Sequence, residues 1–346
     1  MSVRRPWLIP FTPLYHMVVV AKRRMYGWGW LKQKRLPVPV ISVGSVSAGG
    51  AGKTPFVAML ARLLHQRGYA VSILTRGYGR TSEMIERVEP DDDPLWHGDE
   101  PVLLAQRADA PVFAGADRYE AGLMAEKEDR HNQIAVHLLD DGFQHLPLAR
   151  SIDIVLLTVE DTEDVLLPAG NLRESVATVG EADVVVIREE EAAQLNEELD
   201  ELRGEGKTFA TWMIRRSLAL LEGSEVVLPT YPMAFCGIAR PENFTKMLTS
   251  SSYEPVETMA FADHHPYSDE DMTRLIDRAG KIGANGFVTT EKDAVKITPE
   301  MRARLKTVGP MIVASLKVSL VAEKEALGQL VALVGELDRR KNRSLR

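Results

Sequence analysis

Among its 346 residues the sequence has a single cysteine, Cys236. No intramolecular disulfide can form, and nothing suggests a cysteine-based metal site, so the cytosol is the expected compartment. Negative charge is missing from the front of the chain. No Asp or Glu occurs from Met1 to Ser82, while eight basic residues precede Pro37: Arg4, Arg5, Lys22, Arg23, Arg24, Lys32, Lys34 and Arg35. The net charge of −7 therefore arises after Glu83. A basic front on an acidic protein points to an anionic partner surface. Long apolar runs are also lacking. The front segment "WLIPFTPLYHMVVVA" carries Pro10 and Pro13, and at about 15 residues it falls short of the roughly 20 that a spanning helix needs. It has no small-residue cleavage site, which argues against a signal peptide. Aromatic and aliphatic residues flanked by Lys and Arg suit a segment lying in a bilayer interface; the plainer alternative is a helix packed on the protein's own core. No repeat or low-complexity tract is present, and 45% hydrophobic with 26% charged residues is ordinary for a globular chain.

Beyond residue 37, short apolar strands alternate with amphipathic helices. Residues 38–46 read as a buried strand. Thr54 to Arg67 reads as a helix with Phe56, Val57, Leu60, Leu63 and Leu64 on one face, and Gly68 stands where a C-terminal cap belongs. "IAVHLLDDG", "SIDIVLLTV" and "ADVVVIRE" are further strands. This alternation predicts an α/β fold with a mainly parallel sheet. A solvated helix, "EEEAAQLNEELDELRGEG", marks a change of composition near residues 190–205. The expected organisation is a basic, aromatic membrane-associating segment (1–36), a nucleotide- and substrate-binding core (37–210), a smaller α/β domain (211–315) and a C-terminal helix (316–346).

Between the first strand and its helix lies Ser47-Ala48-Gly49-Gly50-Ala51-Gly52-Lys53-Thr54, a phosphate-binding loop except that Ser47 replaces the first glycine. Three glycines let backbone N–H groups close around phosphate oxygens, and the helix start adds free donors and a favourable dipole. Lys53 is expected to bridge the outer phosphates and Thr54 to ligate Mg²⁺. Ser47 sits at the loop entry, so it weakens the pattern more than the cradle. Asp140 and Asp141 end a buried strand, where a carboxylate holds Mg²⁺ in such folds; two capping aspartates are the plain alternative, disfavoured because adjacent acids repel without a cation or donors. "HGDEP" supplies Asp99 and Glu100, and "FADHHPYS" supplies Asp263, His264 and His265. A kinase needs a base near the acceptor hydroxyl, and a carboxylate–imidazole pair is one solution. Taken alone, these motifs fit a surface acid patch or histidines capping the helix at Ser268 equally well, and adjacent histidines lack zinc-site spacing. Arg76 and Tyr78 in "TRGYGR", and Arg173 and Glu174 in "LLPAGNLRES", lie at strand ends on the edge where ligands bind. The arginines there suit phosphates.

The ordered set "ISVGSVSAGGAGKTP", "LTRGYGR", "GDEP", "LLDDGFQH", "LLPAGNLRE", "FADHHPYS" and "TTEKDAVK" resembles the tetraacyldisaccharide 4′-kinase family of lipid A biosynthesis over most of the chain. The resemblance implies a P-loop NTPase-like core with a smaller closing domain. It implies transfer of the γ-phosphate of ATP to the 4′-hydroxyl of tetraacyldisaccharide 1-phosphate at the cytoplasmic face of the bacterial inner membrane, with no nucleic-acid or protein partner. Carried over by motif, Lys53 and Thr54 meet nucleotide phosphates and Mg²⁺, Asp140 and Asp141 form the metal doublet, and Asp99 is the base paired with His264. Tyr78, Gln144, Arg173 and Glu174 fall in the cleft. Serine and valine in "GSVSAGG" depart from the family's usual Asn and Thr, and "GNLRES" lacks its usual proline; neither replaces a chemical group. Two rival classes remain at this point. A membrane-recruited switch or motor ATPase explains the loop and the doublet but not Asp99 and Asp263-His264. A nucleic-acid ATPase is opposed by the acidic remainder.

Overall fold

The structure is a computed structural model that describes residues 5–128, 133–204, 206–221 and 228–344. Arg4 and the outermost residues of both expected terminal segments lie outside them. Twelve strands form one sheet: β1 Val40–Ser45, β2 Ala70–Thr75, β3 Glu86–Val88, β4 Val112–Ala114, β5 Ala135–Asp140, β6 Ile152–Leu156, β7 Val184–Arg188, β8 Ala210–Leu221, β9 Pro232–Cys236, β10 Glu257–Ala260, β11 Gly286–Thr290 and β12 Met311–Leu320. Their order is β10-β9-β11-β12-β8-β7-β6-β1-β5-β2-β4-β3. Neighbours run parallel except at β8–β12 and β3–β4. The expected α/β fold with a mainly parallel sheet is borne out. The strands on either side of residue 210 belong to this one sheet, joined through β8, which pairs with β7 on one side and β12 on the other.

β1 is buried at every position and sits between β5 and β6. The chain leaves it towards β2 on one side and later continues through β6 and β7 on the other. That reversal opens a crevice at the carboxyl end of β1, where ligands bind in open α/β sheets. The helix Lys53–Gln66 follows and buries Phe56, Val57, Leu60 and Leu64 against the sheet. Each such side chain contributes roughly 1.5–3 kcal/mol by leaving water. Local chemistry fixes other helix starts. Asp117 accepts hydrogen bonds from the N–H groups of Tyr119 and Glu120, and Ser268 with Asp271 forms a capping box on the helix Asp269–Ile282.

The N-terminal segment is a short 3₁₀ turn, Pro6–Phe11, leading into the helix Thr12–Gly27, and neither contains a buried residue. The plainer expectation, a helix packed on the protein's own core, holds for one face, where Tyr15, Val19, Arg23 and Tyr26 are half-buried. Trp7, Ile9, Phe11, Leu14, Met17 and Val18 are exposed, as are Trp28 and Trp30 just beyond. The helix is nevertheless tethered. Arg23 pairs with Glu174 at 2.6 Å and with Glu181, and lies over the Phe143 ring. The Tyr15 hydroxyl donates to the Arg173 carbonyl. Among the described residues no helix is long and apolar enough to cross a membrane.

Candidate active site

The loop after β1 turns on glycines that other residues could not replace without strain. Gly49, Gly50 and Gly52 have φ of 76°, 77° and 86°. A Cβ on Gly50 would also stand 2.7 Å from the Arg240 side chain, which comes from the far half of the sheet. Lys53 donates to the Ser45 hydroxyl at 3.0 Å and pairs with Asp141 at 3.3 Å. Ser47 is fully buried beneath the loop, and its carbonyl accepts from the Ser45 hydroxyl. Ala48 to Thr54 line a cavity of about 1290 Å³.

Asp140 and Asp141 also face this cavity, but their surroundings differ. Asp141 bridges two cations, Lys53 and the Arg173 guanidinium at 2.6 Å. Burial opposes its ionisation, but Lys53 and Arg173 prevail and hold its pKa at about 2. Asp140 has one oxygen on the Thr75 hydroxyl at 3.2 Å, and its Oδ1 is buried with no hydrogen-bond donor among the described residues. Burial first, then Glu100 and Asp141, push its pKa up to about 7 against the pull of Lys53 and Thr75.

On the opposite wall, His264 Nδ1 lies 3.0 Å from both Asp99 oxygens, joining residues 165 positions apart. Asp99 is 4% exposed and sits behind the imidazole, while His264 lines the cavity. Burial raises the Asp99 pKa, but the His264 hydrogen bond and the charges of Lys292, His264 and Lys296 together bring it below the ordinary value. Burial and Lys292 oppose charge on His264; its bond to Asp99 and the Asp99 and Asp263 charges outweigh them and raise its pKa. The neighbouring His265 does what the plain reading assigned to the pair: its Nε2 meets the capping carboxylate of Asp271 at 2.9 Å.

The family model for tetraacyldisaccharide-1-phosphate 4′-kinase matches residues 4–334. The chain belongs to the tetraacyldisaccharide 4′-kinase family. It is 38% identical over 332 residues to the tetraacyldisaccharide 4′-kinase of Koribacter versatilis, covering 94% of this chain and 98% of that one. To that of Geobacter metallireducens it is 35% identical over 323 residues, covering 90% and 92%. The crystal structure of LpxK from Aquifex aeolicus in complex with ATP matches with a TM-score of 0.71 at 33% identity, over 94% of this chain and 98% of that one.

Against this 4′-kinase background, the structure gathers most of the expected residues around one cavity. Arg76, Tyr78, Gln144, Arg173 and Asp263 line it together with the loop, the doublet and His264. Gln144 donates to the Ser45 carbonyl, and the Tyr78 ring lies 5.0 Å from that of His264. Glu174, like the buried Ser47 and Asp99, lies outside the lining. It is 3% exposed and is tied to Arg23. The backbone is pinned at Val46, whose carbonyl accepts from the N–H groups of both Arg173 and Glu174, and the two successive side chains then diverge.

Several cavity residues carried no chemical role in the sequence. Lys22, Arg118 and His145 stand with Arg76 at a corner of the cavity. Burial and then Arg76 lower the Arg118 pKa to about 10, while burial, Arg118 and Arg150 lower that of His145 to about 4. Lys292 lies inside "TTEKDAVK", a stretch that carried the resemblance without a chemical role.

Proposed function

We propose that the protein transfers the γ-phosphate of ATP to the 4′-hydroxyl of a tetraacyldisaccharide 1-phosphate in lipid A synthesis. The observation that carries this reading is the Asp99–His264 pair standing across one cavity from the phosphate loop. A switch ATPase needs the loop and the doublet but has no use for a half-buried imidazole held by a carboxylate in the cavity wall.

Residues of the loop hold the nucleotide phosphates through backbone N–H groups, with Lys53 as the charge partner. The orphaned Asp140 Oδ1, in a carboxyl that buries badly without a cation, fits a divalent ion. Asp140 and Thr54 would hold Mg²⁺, with Asp141 serving to orient Lys53 and Arg173. No cluster of three ligating side chains occurs among the described residues, so phosphate oxygens and water complete such a site. When bound, the ion neutralises charge on the transferring group.

His264 Nε2 takes the proton of the acceptor hydroxyl, and Asp99, out of reach behind the ring, orients the imidazole and stabilises its charged form. This exchanges the roles that the motif alone implied, where Asp99 was the base. Arg173 meets charge developing on the phosphoryl group. The positive corner of Lys22, Arg76 and Arg118, with the uncharged His145 imidazole beside them, receives the acceptor's own phosphate. Exposed aromatic and aliphatic residues from Trp7 to Val18 lie in the interface of the inner membrane's cytoplasmic face, so the acyl chains stay in lipid. Drawing the far half of the sheet closer over the loop excludes water. The roles of the pair are tested by substitution. His264→Ala should lower kcat by about 10²–10⁴-fold, the usual contribution of a general base. Asp99→Asn should retain ATP binding and lose kcat. Unchanged kcat in His264→Ala would remove it as base.

A further inference from the structure

Lys292 makes three polar contacts with its ammonium: Glu100 at 3.2 Å, Asp263 at 3.3 Å and the Nε2 of His264 at 3.1 Å. The two carboxylates are ordinary ion-pair partners. The imidazole nitrogen is not. An ammonium has three donors and no acceptor, so the third contact requires a lone pair on Nε2. The ring's proton must then sit on Nδ1, where it donates to Asp99 at 3.0 Å. Both bonds of the ring therefore enforce the same tautomer, the one that free neutral imidazole in water favours less.

The lysine is firmly placed. It lies on the short helix Glu291–Ala294, whose N-cap Thr290 accepts from the Asp293 N–H. Asp293 in turn accepts from the Thr290 hydroxyl at 2.6 Å and the Gly237 N–H at 3.0 Å. Lys292 also lines the cavity. If it gives up the imidazole, Glu100 and Asp263 still hold it.

We infer that Lys292 is a positioning residue for His264: its ammonium keeps the ring in the Nδ1–H form with Nε2 bare, and yields that atom to the acceptor hydroxyl. The inference rests on the reading of His264 as the base. Before the acceptor arrives, the proton-accepting atom is covered by a group that cannot itself be deprotonated by it without loss of two ion pairs. When the hydroxyl arrives, one hydrogen bond to Nε2 replaces another.

The charged groups facing the ring are Asp99 from the helix Asp99–Arg107, Lys292 and Asp263 beside it, and the Tyr78 ring from the loop after β2 packs against it. Lys296 stands 3.6 Å from Asp99 on its other side. Of these, Lys292 is the cation in contact with the ring, and its charge disfavours the imidazolium. Removing it should therefore let His264 take a proton at higher pH.

Two measurements test this. The first reads the wild-type ring itself: ¹⁵N NMR of histidine-labelled wild-type protein, with His264→Gln serving only to assign the resonances. The expected result is a neutral ring protonated at Nδ1; a ring protonated at Nε2 overturns the inference. The second compares pH profiles of kcat/KM. In Lys292→Met the acid limb should move to higher pH, and in Lys292→Arg it should stay near the wild-type position. An unmoved limb in Lys292→Met, whatever the loss of rate, leaves the lysine a merely structural ion pair. The NMR result stands independently of phosphoryl transfer, so a wild-type protein that lacks kinase activity would sink the functional reading without deciding this one.

Discussion

Two adjacent carboxyls, Asp140 and Asp141, are driven in opposite directions by groups far away in sequence. Lys53 and Arg173 hold Asp141 ionised at about 2, while Asp140 is pushed to about 7. The doublet was legible as a candidate metal site from its place at a strand end. The difference between its members was not, because Thr75, Glu100 and Arg173 come from three separate loops and strand ends. A stability prediction follows from the sign of the Asp140 shift. Between pH about 4 and about 7 the folded protein holds a proton on Asp140 that the unfolded chain has released, so this group makes stability fall as pH rises through that window. Asp140→Asn lacks the burden. In the ATP- and Mg²⁺-free protein its Tm should match wild type near pH 4 and exceed it above pH 7, measured by calorimetry across the range. A Tm below wild type at pH 8 would contradict the assignment. In the same variant, phosphoryl transfer should fall by at least about 10²-fold, in line with losing a ligand of the ion that would neutralise transition-state charge. The Asp99–His264 pair was legible only as two weak motifs in a recognisable order; no spacing rule links positions 165 residues apart. Lys292 sat in a quoted motif but bears no signal of its own, since a lysine after Glu291 reads as an ordinary solvated charge.

At the scale of elements, the strand–loop–helix unit at 40–66 is nearly as its pattern indicates, because a continuous apolar run buried throughout, the period-3.6 burial of the helix and the glycine punctuation all agree there. The misses have physical causes. β8 was read only as the start of a second domain, although "ATWMIRRSLALL" is a 12-residue strand. Its middle carries Arg215 and Arg216, whose partners Glu189 and Glu190 lie on the segment after β7. β3 is three residues at the start of an acidic stretch, and β10 is a four-residue edge strand; neither is long enough to show a period. The N-terminal helix packs one face on the protein and leaves Leu14, Met17 and Val18 of its other face exposed. Replacing Trp7, Phe11, Leu14 and Val18 together by serine should abolish co-sedimentation with anionic phospholipid vesicles. ATP affinity should be unchanged, and each exposed site should alter stability by no more than about 0.5 kcal/mol. Undiminished vesicle binding would assign membrane contact to another surface. The tether through Arg23 predicts a different result for Glu174→Ala. It strands a mostly buried guanidinium, so it should destabilise the protein rather than alter acceptor chemistry directly.

Over the whole molecule, one twelve-stranded sheet carries the phosphate loop on one half and His264 and Lys292 on the other, with the antiparallel β8–β12 pair between them. The approach of Arg240 to Gly50 and the Asp99–His264 bond bring the two halves of the sheet together beside the cavity. Nucleotide and acceptor chemistry are therefore assembled only when both halves are in place. This global arrangement is what distinguishes a kinase from an ATPase built on the same loop, and the central claim is tested at that scale. Purified protein is given labelled ATP, Mg²⁺ and detergent-dispersed tetraacyldisaccharide 1-phosphate, and both bisphosphate formation and ATP consumption are followed. The account predicts a 4′-phosphorylated bisphosphate formed in step with ATP use, with little turnover when the lipid is omitted. ATP that binds, and is hydrolysed equally with and without the lipid while no bisphosphate forms, would contradict it.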